Sequence, residues 1–358
     1  MGIFSGILKN ILGDSSAFGI FNSVDVGVDL GTANILVFLK GKGIVLKEPS
    51  VVATDKSTGK VVAIGRTAKY MLGRTPDSIT AVRPLREGVI ADYDITQIML
   101  ENVLQKVCGK SMFFKPRVMI CIPSGVTTVE KRAVLEATMQ SGAAKTYLIE
   151  EPMAAAMGAG IDVSASVGHM VVDIGGGTTD IAIICLGGIV VSESLRVGGD
   201  KFDEAIVRFV KKEHNVLIGE RTAEEIKMRI GTVHRKGRAD SLVVRGRDLI
   251  TGLPTTIKIT SQETCRAMAE PLGMLLAAIR TVLEKTPPEL AGDIVENGII
   301  LTGGGALLDG LVLLVQEETK LTTQMADNPL DCVALGTGKA LADMSILKDG
   351  VYMENRKR

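Results

Sequence analysis

Val28-Asp29-Leu30-Gly31-Thr32-Ala33-Asn34, followed by the apolar run Ile35 to Leu39, reads as strand, aspartate, tight glycine turn, hydroxyl, strand. The same phrase returns as Val172-Asp173-Ile174-Gly175-Gly176-Gly177-Thr178-Thr179-Asp180, followed by Ile181 to Leu186. The chain therefore reads as an internal duplication of one unit. Two such turns facing each other can clamp a polyphosphate, each offering backbone N–H groups to phosphate oxygens and a carboxylate to a hydrated metal ion. Gly31 permits a tight turn and close phosphate approach; the plain alternative is a simple hairpin. Three consecutive glycines weaken a strand pair for no packing gain, so in the second turn a ligand is the better explanation.

Outward from these turns, strands and helices alternate as in α/β layers. The spacing predicts helices over 67–72, over 94–108 with Ile95, Ile98, Met99, Val103 and Leu104 on one face, and over 153–159. It predicts further helices from Asp200 as a cap through Val210, beyond the Thr222-x-x-Glu225 pattern, over 261–285, from Ala306, and over 331–341. Thr127-x-x-Glu130 reads as a capping box. Residues 211–260 are more polar and suggest a smaller lobe.

Other residues admit two readings. Gly303-Gly304-Gly305, after an apolar strand, suits a nucleotide's sugar or α-phosphate if a helix begins there; otherwise it is a βα loop. Glu224 and Lys227 lie on one helix face and can reach one ligand edge, or form a solvated charge pair. Glu151, before Pro152, either favours the helix dipole or orients an attacking water. Gly336-Thr337-Gly338-Lys339 is not a P-loop, because Ala340 follows the lysine and no glycine stands five residues before Gly338; it reads as helix packing.

With 358 residues the chain suits two domains. It is 46% hydrophobic and 23% charged, a globular composition. Lys+Arg and Asp+Glu are equal at 41 each and aromatics are 3% with no Trp, so neither a basic field nor a stacking platform points to nucleic acid. The five cysteines form no CxxC pair and read as reduced thiols, and three isolated histidines disfavour a histidine-ligated metal. No apolar run reaches the roughly 18–20 residues of a membrane span, and neither a signal peptide nor a myristoylation signal is expected at the start.

Taken together, VDLGTAN, GIVLKEPSVVA, MLGRTP, RPLREGVIADYD, CIPSGVT, IEEPMAAAMGAG, MVVDIGGGTTDIA, VGGDKFDEAI, LIGERTAEEIK, TPPELAGDI, LTGGGALL and CVALGTGKAL cover nearly the whole chain. They resemble the actin, heat-shock-chaperone and sugar-kinase ATPase superfamily, and within it the MreB/Mbl family of bacterial actins. The resemblance implies an α/β actin-like ATPase fold: two duplicated ribonuclease-H-like lobes with ATP and Mg²⁺ in the cleft between them. It implies a membrane-binding segment over 1–23, a first lobe over 24–160 with a small subdomain at about 44–88, a second lobe over 161–330 with a small subdomain at about 198–260, and a helix within 331–358 returning to the first lobe. Carried onto this sequence, Asp29, Gly31, Thr32, Ala33 and Asn34 form one phosphate turn, and Asp173, Gly175, Gly176, Gly177 and Thr178 the other. Asp29 and Asp173 hold Mg²⁺ through water. Gly303, Gly304, Gly305 and Ala306, with Glu224 and Lys227, hold the adenosine side. Glu151 polarises the attacking water, Thr178 helps to place it, and Glu150 is the weaker candidate for the base.

Ile3, Phe4, Ile7, Leu8, Ile11 and Leu12 follow helical spacing and suggest a short amphipathic helix, either on a membrane or folded onto the core. Met112, Phe113 and Phe114, flanked by Lys110, Lys115 and Arg117, make an apolar tip with basic flanks that suits an anionic membrane. The resemblance points the same way: a slow ATPase in the cytoplasm, peripheral on the inner face of the cell membrane, forming homopolymeric filaments that organise cell-wall synthesis in rod-shaped bacteria with elongation proteins such as RodZ and MreC. A small-molecule kinase on the same fold needs a substrate-hydroxyl base and a sugar-binding insertion, and no candidate for either is present. A chaperone ATPase needs a peptide-binding domain, for which a chain running to Arg358 leaves no room.

Overall fold

The computed structural model describes residues 24–109, 115–347 and 352–355. The two expected membrane elements, Ile3, Phe4, Ile7, Leu8, Ile11 and Leu12, and Met112, Phe113 and Phe114, lie outside the described residues. Among the described residues no helix is long and apolar enough to cross a membrane.

The duplication is visible in the sheets. In the first half, Asp25–Leu30, Asn34–Leu39 and Gly43–Pro49 form an antiparallel meander, and Arg117–Ile122 and Lys145–Glu150 add parallel to its inner edge. In the second, His169–Ile174, Thr179–Cys185 and Gly188–Leu195 form the same meander, with Ile299–Thr302 and Thr323–Met325 added in parallel. The first sheet gains a sixth strand, Tyr352–Asn355, antiparallel to Lys145–Glu150. In each half the last parallel strand precedes a helix of small residues, Glu151–Gly158 and Cys332–Ala342.

Those two helices lie against each other between the sheets. A Cβ on Gly336 would collide with the Ala154 carbonyl, and one on Gly158 with the Cys332 carbonyl. Lys339 donates to the Met157 carbonyl at 2.7 Å, so Gly336 to Lys339 is helix packing. Around this pair a buried cluster containing Met119, Ile149, Val171, Ala182 and Val333 joins the two halves into one body. Smaller sheets extend each half: Val52–Asp55 with Val61–Ile64 and Ile79–Val82, and Val216–Leu217 with Ser241–Asp248 and Pro254–Thr260.

Several local expectations change. The helix expected over 94–108 spans Tyr93–Cys108, but its buried stripe is Thr96, Met99, Leu100, Val103 and Leu104, with Ile98 exposed. Thr96 can be buried because its hydroxyl donates to the Asp92 carbonyl at 2.6 Å. Asp200 is not a cap: the helix Gly199–His214 is capped by the backbone of Gly198, and Asp200 sits inside its first turn. Thr222 likewise lies inside Glu220–Ile230, whose N-cap is Gly219. The long helix expected over 261–285 is two, Ser261–Ala267 and Ala269–Lys285, parted at Met268. Pro271 explains the break, since it lacks an N–H and its ring crowds the carbonyl four residues back, that of Ala267. The Thr127–Glu130 capping box is present as read.

Candidate functional site

Both glycine turns are held from behind. In the first, Gly31 N–H donates to the Asn34 carbonyl at 3.1 Å, while Ser50 donates through its N–H to Ala33 O at 3.0 Å and through its hydroxyl to Gly31 O at 2.6 Å. In the second, Gly175 N–H donates to Thr178 O at 2.8 Å. The helix that starts at Gly199 presses on it, Gly199 N–H donating to Gly175 O at 3.0 Å and Asp200 N–H to Gly176 O at 2.8 Å. The turns meet tip to tip: a Cβ on Gly176 would stand 2.7 Å from Ala33 Cβ, and one on Gly177 2.5 Å from Thr32 Oγ1.

Between the halves opens a cleft of about 500 Å³. Asp29, Gly31, Thr32, Ala33 and Asn34 line it from one side, and Asp173, Gly175, Gly176, Gly177 and Thr178 from the other. Glu151 reaches its floor from the start of the central helix, whereas Glu150 lies off the wall, 3.9 Å from Lys131. Glu224, Lys227, Gly303, Gly304 and Gly305 line the other end, with Met228, Leu307, Leu308 and Leu330 supplying apolar surface. Ala306 does not line the cleft; it is buried behind it. The helix expected to begin there is a single 3₁₀ turn, Gly304–Leu307, and the α-helix starts at Leu311. Gly303 has φ 78 and sits so close to the Ile174 carbonyl that a side chain would clash, so this corner presents bare backbone without an α-helical terminus.

Carboxylates dominate the end of the cleft where the two turns meet. Burial pushes Asp29 up to about 7, opposed only by the Cys121 thiol 3.5 Å away. Burial likewise pushes Asp173 up to about 7; the Thr302 hydroxyl, donating at 2.8 Å, pulls it down, and the charges of Asp29 and Asp180 push it further up. Glu151 is raised well above the ordinary range by burial and by the charges of Asp180, Asp173 and Asp29. A divalent cation would offset this crowding. Among the described residues no group of three or more His, Cys, Asp or Glu could hold a metal. The two turn aspartates, Asp29 and Asp173, supply two carboxylates to the cleft, a donor type that suits a hard cation such as Mg²⁺.

The family described as MreB/Mbl protein matches residues 23–349. The chain belongs to the MreB/Mbl family. It is 52% identical over 323 residues to the cell shape-determining protein Mbl of Bacillus subtilis, covering 90% of this chain and 97% of that one. It is 50% identical over 328 residues to the cell shape-determining protein MreB of Escherichia coli, covering 90% and 94%. Among solved structures, MreB5 of Spiroplasma citri bound to AMPPNP superposes with a TM-score of 0.87 at 38% identity, covering 90% of this chain and 97% of that one. The fold is thus the actin-like fold of this family.

Within this family member, folding brings in partners that pattern reading passed over. Glu224 and Lys227 are each paired, Glu224 with Lys69 at 2.8 Å, Lys227 with Asp203 at 2.9 Å and with the Gly199 carbonyl at 2.8 Å. Lys69–Glu224 and Arg83–Asp200, 2.7 Å apart, tie the first half to the second across the cleft mouth. Partners 155 and 117 positions apart leave no spacing signal in a sequence. Ser50 stands inside a quoted block, but only its contacts show that it braces the first turn. Asp180, fully buried and accepting from the Ser124 N–H of the other half at 2.8 Å, closes the second motif.

Proposed function

We propose that the chain is a cell-shape-determining, actin-like cytoskeletal protein that binds ATP in this cleft and hydrolyses it slowly as part of a polymerisation cycle. The observation that carries the reading is the meeting of two aspartate–glycine turns, tip to tip, over one cleft with Glu151 at its floor. Backbone N–H groups of both turns bind the β- and γ-phosphates, and the bare corner Gly303–Gly305 takes the adenosine side. Asp29 and Asp173 would hold a Mg²⁺ ion, which would supply charge neutralisation at the phosphates. Glu151 accepts a hydrogen bond from the attacking water, and Thr178 places that water in line with the γ-phosphate. Catalysis is then mostly positioning and electrostatics. The two sheets with their small satellites support lobes over 24–160 and 161–330.

The names of the relatives and the AMPPNP of the Spiroplasma structure support this reading. The filament, the peripheral attachment to the inner membrane face through residues 2–12 and 112–114, and docking with the cell-wall elongation machinery rest on the family resemblance. Many weak membrane contacts along a polymer sum to firm attachment.

Light scattering and phosphate release, measured with and without ATP and anionic vesicles, test the proposal together. Wild-type protein should scatter on ATP addition and co-sediment with vesicles. Glu151→Ala should bind ATP normally and hydrolyse it about 10²–10⁴-fold more slowly. Undiminished turnover in that variant removes Glu151 from the mechanism, and absence of ATP-dependent scattering removes the filament.

A further inference from the structure

The two halves are joined differently at the floor of the cleft and at its mouth. Among the described residues, the buried apolar cluster containing Met119, Ile149, Val171 and Ala182 is the only one drawn from both halves; the others lie within one half or the other. The mouth is closed by charge instead. Lys69 Nζ stands 2.8 Å from Glu224 Oε1, and Arg83 Nη1 2.7 Å from Asp200 Oδ1. Beside Lys69, the Arg221 guanidinium lies over the Tyr70 ring, 5.2 Å from its centroid. Two consecutive residues of the helix Arg66–Met71 thus meet two residues of Glu220–Ile230 that lie one turn apart. A further contact comes from Glu87, at the tip of the hairpin formed by Leu85–Arg86 and Val89–Ile90. Its carboxylate is 3.2 Å from Lys201 Nζ and 3.7 Å from Arg196 Nη1. Glu87 has φ 49, a backbone that favours glycine; what glutamate adds there is a carboxylate for the opposite half. Lys69, Glu224 and Asp200 also line the cleft, so these pairs border whatever it holds.

We infer that these contacts form an ionic clasp that sets how fast nucleotide leaves the cleft, with Lys69 and Arg83 as its main first-half members. The apolar floor stays packed while the mouth opens, because parting the mouth breaks ion pairs and uncovers no shared apolar core. Ion pairs between partly exposed side chains are individually weak and are screened by salt. A clasp made of them opens readily, but several pairs must open together before a ligand as large as a nucleotide passes. It therefore lengthens the residence of the nucleotide without touching the phosphates. Lys69 and Arg83 each meet a different acid on a different helix, so the pairs also fix the register in which the halves close. The inference rests on the reading that the cleft binds nucleotide.

Its test is the dissociation rate of radiolabelled ADP, with Mg²⁺ present, after a chase of unlabelled ADP; ADP keeps hydrolysis out of the measurement. Arg83→Gln should speed release about threefold to tenfold, and Lys69→Gln with Arg83→Gln about 10- to 50-fold. Arg83→Lys keeps the charge and should stay within about threefold of wild type. Raising NaCl from about 0.05 M to about 0.5 M should speed wild-type release about fivefold and the double variant less than about twofold. Arg83→Gln with Asp200→Asn should release ADP no faster than the faster of the two single variants, because partners in one pair are not additive. Wild-type release from the Lys69→Gln, Arg83→Gln variant overturns the clasp. So does faster release that is equally salt-dependent in wild type and variant, which would mark a general loosening of the fold. A wild type that retains no ADP overturns the nucleotide reading and the clasp with it, whereas retention that neither the variants nor salt alter overturns the clasp alone.

Discussion

The two glycine turns are copies of one unit, yet they are built differently. The first has one glycine and is braced by a side chain, Ser50. The second has three and is braced by the backbone of the helix beginning at Gly199. Gly176 and Gly177 lie against Ala33 and Thr32 of the opposite turn, so they are glycines partly because the other jaw touches them. Bare backbone in the second turn therefore serves lobe-to-lobe contact as well as any ligand. The first turn carries the small side chains of that contact, and the second makes room for them.

The strands leading into the turns differ as well, and the largest expected effect lies there. In the first half Asp25 stands opposite Arg117 in a parallel ladder and is held by its guanidinium at 2.7 Å, with Lys40 at 3.3 Å. The corresponding ladder of the second half begins with an apolar pair, Met170 opposite Ile299. Burial alone would raise the Asp25 carboxyl, but Arg117 and Lys40 outweigh it and hold it below the ordinary value. Asp25→Asn should destabilise the fold by about 2 kcal/mol at neutral pH, the scale of losing charge-assisted hydrogen bonds to a partly exposed guanidinium. A carboxyl lowered by folding contributes stability above its unfolded value, and that contribution is lost as pH falls through its folded value. The gap in thermal midpoint between wild type and Asp25→Asn should therefore be full at pH 7 and shrink below pH 4. A constant gap down to pH 3 contradicts the ion-pair account.

A smaller effect probes the contact between the turns. Gly176→Ala places a methyl 2.7 Å from Ala33 Cβ and 3.2 Å from Ala33 N, closer than carbon atoms approach, so the jaws must part. ATP affinity should fall about tenfold, an overpacking cost of 1–3 kcal/mol. Gly176→Ala combined with Ala33→Gly moves the methyl from one jaw to the other and should recover most of that loss. Equal affinity of the single and double variants would mean that the turns do not meet in solution.

What was legible in the sequence follows the same division between local and distant. Asp29, Asp173 and their turns were readable because aspartate, glycine and flanking apolar runs are contiguous. The Thr127 capping box was readable because its partners lie three residues apart. Asp200 and Thr222 misled because they are good capping types that stand past the cap, inside the first turn: Gly198 takes the cap before Asp200, since the carbonyls of Gly175 and Gly176 stand where its side chain would be. Ile98 misled because a threonine with its hydroxyl satisfied on its own helix took the buried stripe. Ser50, Asp180 and the cross-cleft pairs owe their roles to partners brought together only by folding.

The smallest expected effect separates the two aspartates by their supporting partners. Asp173 accepts a hydrogen bond from the fully buried Thr302 hydroxyl at 2.8 Å, whereas Asp29 has the thiol of Cys121 at 3.5 Å. A hydroxyl bond to a charged group is worth about 1.5–3 kcal/mol, and a thiol is a weak donor. Thr302→Val removes the hydroxyl and leaves Asp173 free to turn, so Mg²⁺-dependent ATP affinity should weaken by about tenfold. Cys121→Ala removes a contact of little directional strength, and affinity should stay within about twofold of wild type, with the cost appearing instead as a small loss of core packing. If Cys121→Ala weakened affinity as much as Thr302→Val, both aspartates would be equally dependent on their neighbours, and the asymmetry between the turns would be confined to their glycines.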